Sequence, residues 1–499
     1  MKFILSIDQG TTGTTACLID AETFLFVGKV NKEYPQIYPK PSWVEHNLND
    51  IWASVESSVQ EVLKKNNVRG NQIIAIGITN QRETTCAFSR SGTPLANAIV
   101  WQDRRTTDFC QNLNTQKNLP EKIKLLTGLP IDPYFSASKM NWLLNNNSAV
   151  KEAALVDDLL LGTIDTFLLY KLTGNINHKT DASNASRTML MNLKTTSWDQ
   201  ELLDLFNIKK EYLPIIEDSF HTFGVTKGLS FLPDNIAITG ILGDQQSALF
   251  GQAGFFEGEM KCTYGTGAFV LLNTGDKLVY SKFGLLTTVE YRYKGKPCYA
   301  LEGSSYIAGA AVQWLRDNLQ IISKSSEIEK LALEVKNLDE LKHILFFPFF
   351  SGIGSPYWNA DAKASLVGLT RDSNRSHIAY ATLEGIALSI NDLLTAMKND
   401  TGLAIKTLKV DGGAVENNLL MQLQASISET KIIKPKVIET TAFGAALAAA
   451  IGAGLVEMDQ LKNIWQMDQE FTAKDSLAAY TKNKKELWSK TLNTIYQNI

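Results

Sequence analysis

A strand, a Gly/Thr-rich turn and a second strand occur twice in this 499-residue chain, first as FILSIDQGTTGTT from Phe3 and again as MKCTYGTGAF from Met260. Few folds use such a unit. The turn glycines remove side chains where backbone N–H groups converge on an anion, and the threonines add hydroxyl donors. Between the two copies, GILGDQQSALFG (Gly240 to Gly251) sets one carboxylate, Asp244, between a small-residue turn and the start of a helix. Two related halves, each with an anion-binding turn, predict a phosphate-binding cleft between two domains with Asp244 at its floor. The length agrees, because a single core stops growing at about 250–300 residues.

Around this frame, polar and aromatic residues cluster at predicted strand ends. In the first turn Asp8 adjoins Gly10, Thr11, Thr12 and Gly13, and a carboxylate beside a phosphate cradle suits Mg²⁺ held through its water shell. Ile73 to Thr79 reads as a buried strand that ends in Asn80, Gln81, Arg82 and Glu83, the kind of position where α/β folds place ligands. A surface ion pair is the alternative for Arg82 and Glu83. VWQDRR (Val100 to Arg105) and DPYFSASKMNW (Asp132 to Trp142) combine flat apolar rings with hydrogen-bonding groups, as a small polyhydroxylated substrate requires. In the second half, Leu301 to Leu319 is predicted as a helix that starts in small residues and carries Tyr306, Ala310 and Trp314 on one side. KVDGGAVENN (Lys409 to Asn418) reads as a strand, a Gly pair and a helix beginning near Asn418, a turn on which adenine or ribose can lie flat. Thr441 to Gly454 is a small-residue helix suited to tight interdomain packing, and Lys482 to Lys485 reads as a basic helix end.

Composition narrows the function classes. Net charge is −3 and no long basic run occurs, so a nucleic-acid partner is not expected. The apolar run Phe3 to Ile7 is cut by Asp8 and is shorter than the ~7–15 residues of a signal-peptide core. No window offers the ~18 apolar residues of a membrane span, so stable membrane insertion is not expected and a cytoplasmic location is. Cys17, Cys86, Cys110, Cys262 and Cys298 are odd in number and lack a CxxC pair, which predicts buried thiols. No GxxxxGK[ST] occurs, which disfavours a P-loop kinase. Three classes share the remaining description: a small-molecule kinase, an actin- or chaperone-like ATPase, and a nucleotide-binding sensor. Asp244 as a base, with Arg82, Glu83, Trp101 and Tyr134 as a hydroxyl-binding group, favours the kinase, and the short tail after Gly454 leaves no room for a peptide-binding domain.

The runs DQGTT, ITNQRETT, AIVWQDRR, IDPYFSASK, GDQQSALFG, YGTGAF and VDGGAVENN, in this order as far as about Gly454, resemble the FGGY carbohydrate kinase family. That resemblance implies an α/β fold of two actin-like (ribonuclease H-like) ATPase domains with an interdomain active-site cleft. Residues 1–251 would bind substrate and phosphate, and residues 252–499 nucleotide. The implied reaction is ATP- and Mg²⁺-dependent phosphorylation of glycerol to sn-glycerol 3-phosphate, the first step of glycerol catabolism, by a homodimer or homotetramer. The resemblance assigns Asp244 as base and glycerol contact, with Arg82, Glu83, Tyr134 and Gln245 as further contacts and Trp101 and Phe269 as the apolar wall. It assigns Thr11, Thr12, Gly13, Thr266, Gly309, Gln313, Gly413 and Asn417 to the nucleotide, and Asp8 to Mg²⁺ through water. One position departs: the family loop continues with an Arg that contacts nucleotide phosphates, and this chain has Thr15 there.

Overall fold

The computed structural model describes residues 1–437, 439–461 and 464–496. Seven elements form the central layer of its first half: β1 (Phe3–Gln9), β2 (Gly13–Asp20), β3 (Phe26–Glu33), α1 (Leu48–Lys65), β4 (Ile73–Asn80), β5 (Phe220–Val225) and β6 (Ala237–Gly243). The six strands form one sheet in the order β5-β6-β4-β1-β2-β3. β1 pairs antiparallel with β2 and parallel with β4, and β4 pairs parallel with β6. Central strands covered on both faces read as unbroken apolar runs, and Phe3 to Leu5 and Ile7 are indeed buried. One cover is α1, whose Ile51, Val55, Val59 and Val62 recur at helical spacing and are all fully buried. The side chain of Asn47 accepts the N–H of Asn49 and starts this helix.

The second sheet repeats the plan with β7 (Met260–Tyr264), β8 (Ala268–Gly275), β9 (Leu286–Tyr293), β10 (Lys296–Ser305), β11 (Thr407–Asp411), β12 (Lys431–Pro435) and β13 (Met467–Phe471), in the order β9-β10-β8-β7-β11-β12-β13. Here β7 pairs antiparallel with β8 and parallel with β11, and β11 pairs parallel with β12, so β7 stands where β1 stands in the first sheet. The duplication legible in the two Gly/Thr turns is therefore a duplication of topology.

Helices join the halves. α2 (Asp244–Gly251) leaves β6, α3 (Gly309–Asp317), α4 (Arg375–Thr401) and α5 (Asn418–Ser428) belong to the second half, and α6 (Thr440–Gly452) follows β12. Although its chain comes from the second sheet, α6 lies across the first. Ser6 Oγ donates to the Ala442 carbonyl at 2.6 Å and Thr239 Oγ1 to that of Ala449 at 2.8 Å. Its small residues allow contact at backbone distance: a Cβ on Gly444 would sit 1.8 Å from the Ser247 carbonyl oxygen of α2.

Two expectations are corrected. Leu301 to Leu319 is not one helix: residues 301–305 belong to β10, bonded to β8 on one side and β9 on the other, and α3 starts only at Gly309. Burial on both faces erased the alternation that marks a strand. Nor do Lys482 to Lys485 form a basic helix end. They lie inside α7 (Ala478–Ile495), where buried Lys484 pairs with buried Glu384 at 2.8 Å and donates to the Leu341 and Ile344 carbonyls. One turn on, Trp488 stacks on Phe347 with ring centroids 4.2 Å apart. All five cysteines are free and buried, as expected. Among the described residues no helix is long and apolar enough to cross a membrane.

Candidate active site

β4 and β6 run parallel with Asn80 opposite Gly243, so the residues that follow each strand meet at one edge of the sheet. Arg82 and Glu83 come from the first strand, Asp244 and Gln245 from the second. Arg82 Nε lies 3.1 Å from Asp244 Oδ1. Asp244 is the first residue of α2, Gly243 holds the cap position, and Oδ1 also accepts the Gln245 N–H at 2.7 Å. Its side chain is 30% exposed while that of Arg82 is 2%, so the carboxylate is the part of the pair open to the cleft. Glu83 holds a left-handed backbone with φ 60°, a conformation costing about 1 kcal/mol or more for a side chain of this size. Ser136 Oγ fastens its carbonyl at 2.9 Å.

The alternative of a surface ion pair is excluded, because Arg82 and Glu83 are 3% and 2% exposed and bind other partners. Arg82 Nη1 and Nη2 donate to Glu302 Oε2 and Oε1 at 2.6 and 3.0 Å, and Glu302 stands on β10 in the second sheet. Arg187 donates through Nε to Glu83 Oε1 at 2.6 Å and through Nη2 to Glu302 Oε1 at 3.1 Å. Burial pushes the Glu302 carboxyl up, but the guanidiniums of Arg187 and Arg82 outweigh it and hold the group at about 2. For Glu83, burial prevails over the same two cations and its carboxyl is raised. Two arginines and two glutamates thus close a buried square that spans both sheets.

Against this square stands an aromatic wall. Trp101 and Tyr134 meet edge to face with centroids 5.6 Å apart, and the Arg187 guanidinium lies 5.7 Å from the Tyr134 ring. Lys139, fully buried, donates to the Tyr134 carbonyl at 2.6 Å and fixes that residue's backbone. Phe269 lies on β8 opposite Thr263 and Ser304, on the same face as Glu302, since paired residues share a face and faces repeat every second residue.

The residues expected to bind the nucleotide fall into two groups. Thr266, Gly309, Gln313, Gly413 and Asn417 line a single cleft of about 340 Å³, with Val312 and Leu420 as apolar lining. Gly412 has φ 91° and a Cβ there would meet the Tyr264 carbonyl oxygen at 2.4 Å, so only glycine lets β11 turn over the cleft. Thr11, Thr12, Gly13 and Thr15 do not line that cleft. Thr11 and Thr12 form the β1–β2 turn and Gly13 and Thr15 open β2, and Trp101 Nε1 donates to Thr11 Oγ1 at 3.0 Å, tying the turn to the aromatic wall. Thr15 pairs across the strands with Asp8 on one side and Asn31 on the other, and its hydroxyl accepts from Asn31 Nδ2 at 2.9 Å. Desolvation and the carboxylates of Asp244 and Glu439 push Asp8 up to about 8. An acid so crowded by like charges gains from a cation beside it.

Sequence reasoning missed Glu302 and Arg187. Glu302 was hidden by the helix expectation. Arg187 is a single cation in a run of small polar residues, with no pattern to single it out.

The family model for the N-terminal domain of the FGGY family of carbohydrate kinases matches residues 3–251, and that for its C-terminal domain matches residues 260–453. A glycerol kinase of Bdellovibrio bacteriovorus is 48% identical over 498 residues, 99% of each chain, and one of Myxococcus xanthus is 47% identical over 477 residues, 95% of each. The crystal structure of Plasmodium falciparum glycerol kinase with ADP superposes with a TM-score of 0.91 at 38% identity, covering 100% of this chain and 99% of that one. A gluconate kinase from Lactobacillus acidophilus superposes with a TM-score of 0.89 at 24% identity, covers 100% of this chain and 99% of its own, and shares the fold. This chain belongs to the FGGY family of carbohydrate kinases.

Proposed function

We propose that this chain transfers the γ-phosphoryl group of ATP to a terminal hydroxyl of glycerol, giving sn-glycerol 3-phosphate and ADP. The observation that carries the reading is the Asp244 carboxylate, open to the cleft and 3.1 Å from a buried Arg82 that Glu302 anchors through two of its other donors. The glycerol kinases of Bdellovibrio and Myxococcus, similar over nearly their whole length, support the same acceptor.

In this reading Arg82 and Glu83 hold two hydroxyls of the triol, Trp101, Tyr134 and Phe269 cover its carbons, and Gln245 steadies the hydroxyl that reacts. Asp244 takes the hydroxyl proton while the new O–P bond forms and the bond to the β,γ-bridging oxygen breaks. Phosphoryl transfer depends on positioning and charge neutralisation more than on strong basicity, so a carboxylate suffices. Thr266, Gly309, Gln313, Gly413 and Asn417 seat the nucleotide, and Thr11, Thr12 and Gly13 offer donors to its phosphates from the opposite side. Among the described residues no cluster of three metal-binding side chains occurs, and the lone Asp8, raised by burial and by its acidic neighbours, fits a Mg²⁺ held mainly by phosphate and water. Mg²⁺ there would neutralise phosphate charge. Five buried free thiols accord with a reducing, cytoplasmic setting.

A coupled assay of ADP release over glycerol, dihydroxyacetone, erythritol, xylulose and gluconate tests this. Glycerol should give the highest kcat/KM. A pentulose preferred by tenfold or more would leave the family in place and remove glycerol as the acceptor.

A further inference from the structure

Lys261 is a fully buried cation in the interdomain cleft. It lies on β7, two residues before Thr263 and four before the Gly265–Gly267 turn, on the sheet face that carries Glu302 and Phe269. Its Nζ donates to Gln245 Oε1 and, at 2.8 Å, to Thr263 Oγ1, both uncharged. It forms no ion pair among the described residues. An ammonium carries three donors, so one is left over. Burying a charge this way is unfavourable unless an anion arrives, and burial does push the Lys261 ammonium below its ordinary range, against the carboxylate of Asp411 and others nearby. Glu290 does not cancel the charge. Both of its oxygens lack a hydrogen-bond partner, so it makes no hydrogen-bonding contact with Lys261, and burial raises its carboxyl well above the usual range despite Lys261 and Arg82.

Arg82 and Arg187 share Glu302, Lys29 is paired with Glu439, and Lys32 with Glu61. The first turn, moreover, carries Thr15 rather than a cation, and that hydroxyl is taken by Asn31. Gln245 follows the base directly, and Thr266 of the second turn lines the nucleotide cleft. Lys261 therefore bridges the two places that the reacting groups must occupy.

We infer that Lys261 is a catalytic residue whose ammonium grips a non-bridging oxygen of the γ-phosphoryl group during transfer. This deepens the kinase reading and rests on it. As the glycerol oxygen bonds to phosphorus, its proton passes to Asp244 and the β,γ-bridging oxygen leaves with ADP, while Lys261 stays protonated and balances the charge on the phosphoryl oxygens. Removing such a preorganised cation should lower kcat by about 10²–10³-fold.

The test is Lys261→Met, assayed with glycerol and ATP beside Gln245→Ala and the double variant, with ADP binding measured by calorimetry. The expected result is a kcat loss of about 100-fold or more with ADP affinity within about threefold of wild type, and a double variant worse than Gln245→Ala alone. Two results would overturn the inference while wild type still phosphorylates glycerol: a Lys261→Met kcat within about threefold of wild type, or a double variant no worse than Gln245→Ala, which would make Lys261 a support for Gln245 only. Wild type that phosphorylates a different acceptor overturns the glycerol reading instead. A measurement on the unaltered protein covers a variant that fails to fold. In crystals with ADP, glycerol and aluminium fluoride, Lys261 Nζ should lie within about 3.2 Å of a fluoride, and a separation beyond about 5 Å overturns the assignment.

Discussion

Replacing Glu302 by Gln removes one charge from the buried square and leaves its shape. Three guanidinium donors converge on the two Glu302 oxygens: Arg82 Nη1 at 2.6 Å, Arg82 Nη2 at 3.0 Å and Arg187 Nη2 at 3.1 Å. A glutamine offers one oxygen and turns an NH₂ group toward the rest, so at least one donor loses its acceptor and two buried cations lose their shared counter-charge. Breaking a buried ion pair from one side costs about 3–5 kcal/mol. At about 1.4 kcal/mol per tenfold, that equals two to three and a half decades if it falls wholly on the acceptor site. Part will fall on folding, because Glu302 also ties the two sheets. Glu302→Gln should therefore lower kcat/KM for glycerol by at least about 30-fold, leave KM for ATP within about threefold, and lower the unfolding temperature. The assays are coupled kinetics with each substrate varied and calorimetric melting. A variant with wild-type melting and glycerol kcat/KM within about twofold would show that Glu302 neither holds Arg82 nor joins the sheets.

Acid should act through the same residue. Its carboxyl sits at about 2 in the folded chain against an ordinary 4.5, so its stabilisation is complete above pH 4.5 and is lost as pH falls toward 2; wild type should lose melting temperature across that window and Glu302→Gln should lose less of it. Gly444→Ala should destabilise by about 3 kcal/mol by denaturant titration, since its Cβ would meet the Ser247 carbonyl oxygen of α2 at 1.8 Å; unchanged stability would show that α6 and α2 can separate freely. Lys484→Met should cost about 3–5 kcal/mol because Glu384 is left buried without its partner, and adding Glu384→Leu should restore most of it, whereas a double variant as unstable as the single one would locate the cost elsewhere.

The halves of the fold were legible because a glycine turn between two strands is a local feature. DQGTTGTT and YGTGAF each specify their own hairpin, and β1–β2 and β7–β8 pair as those runs predict. Asp244, Arg82 and Glu83 were legible because each closely follows an apolar strand. What escaped depends on long-range pairing. β10 is buried on both faces and shows no alternation, so it read as the start of a helix and hid Glu302. Arg187 and Lys261 gain meaning only from partners 104 and 16 residues away. Lys484 reads as part of a basic helix end because its partners, the carbonyls of Leu341 and Ile344, lie some 140 residues away in the sequence.

The central claim is that Asp244 is the base, and Asp244→Asn tests it most directly. The amide keeps the side chain's shape and can still accept the Gln245 N–H, but it cannot take a proton. Single-turnover phosphorylation of glycerol by the folded variant should slow by about 10²–10⁴-fold with ATP affinity nearly unchanged. Near-normal turnover would contradict the account and leave Asp244 as only the partner of Arg82 at the start of α2.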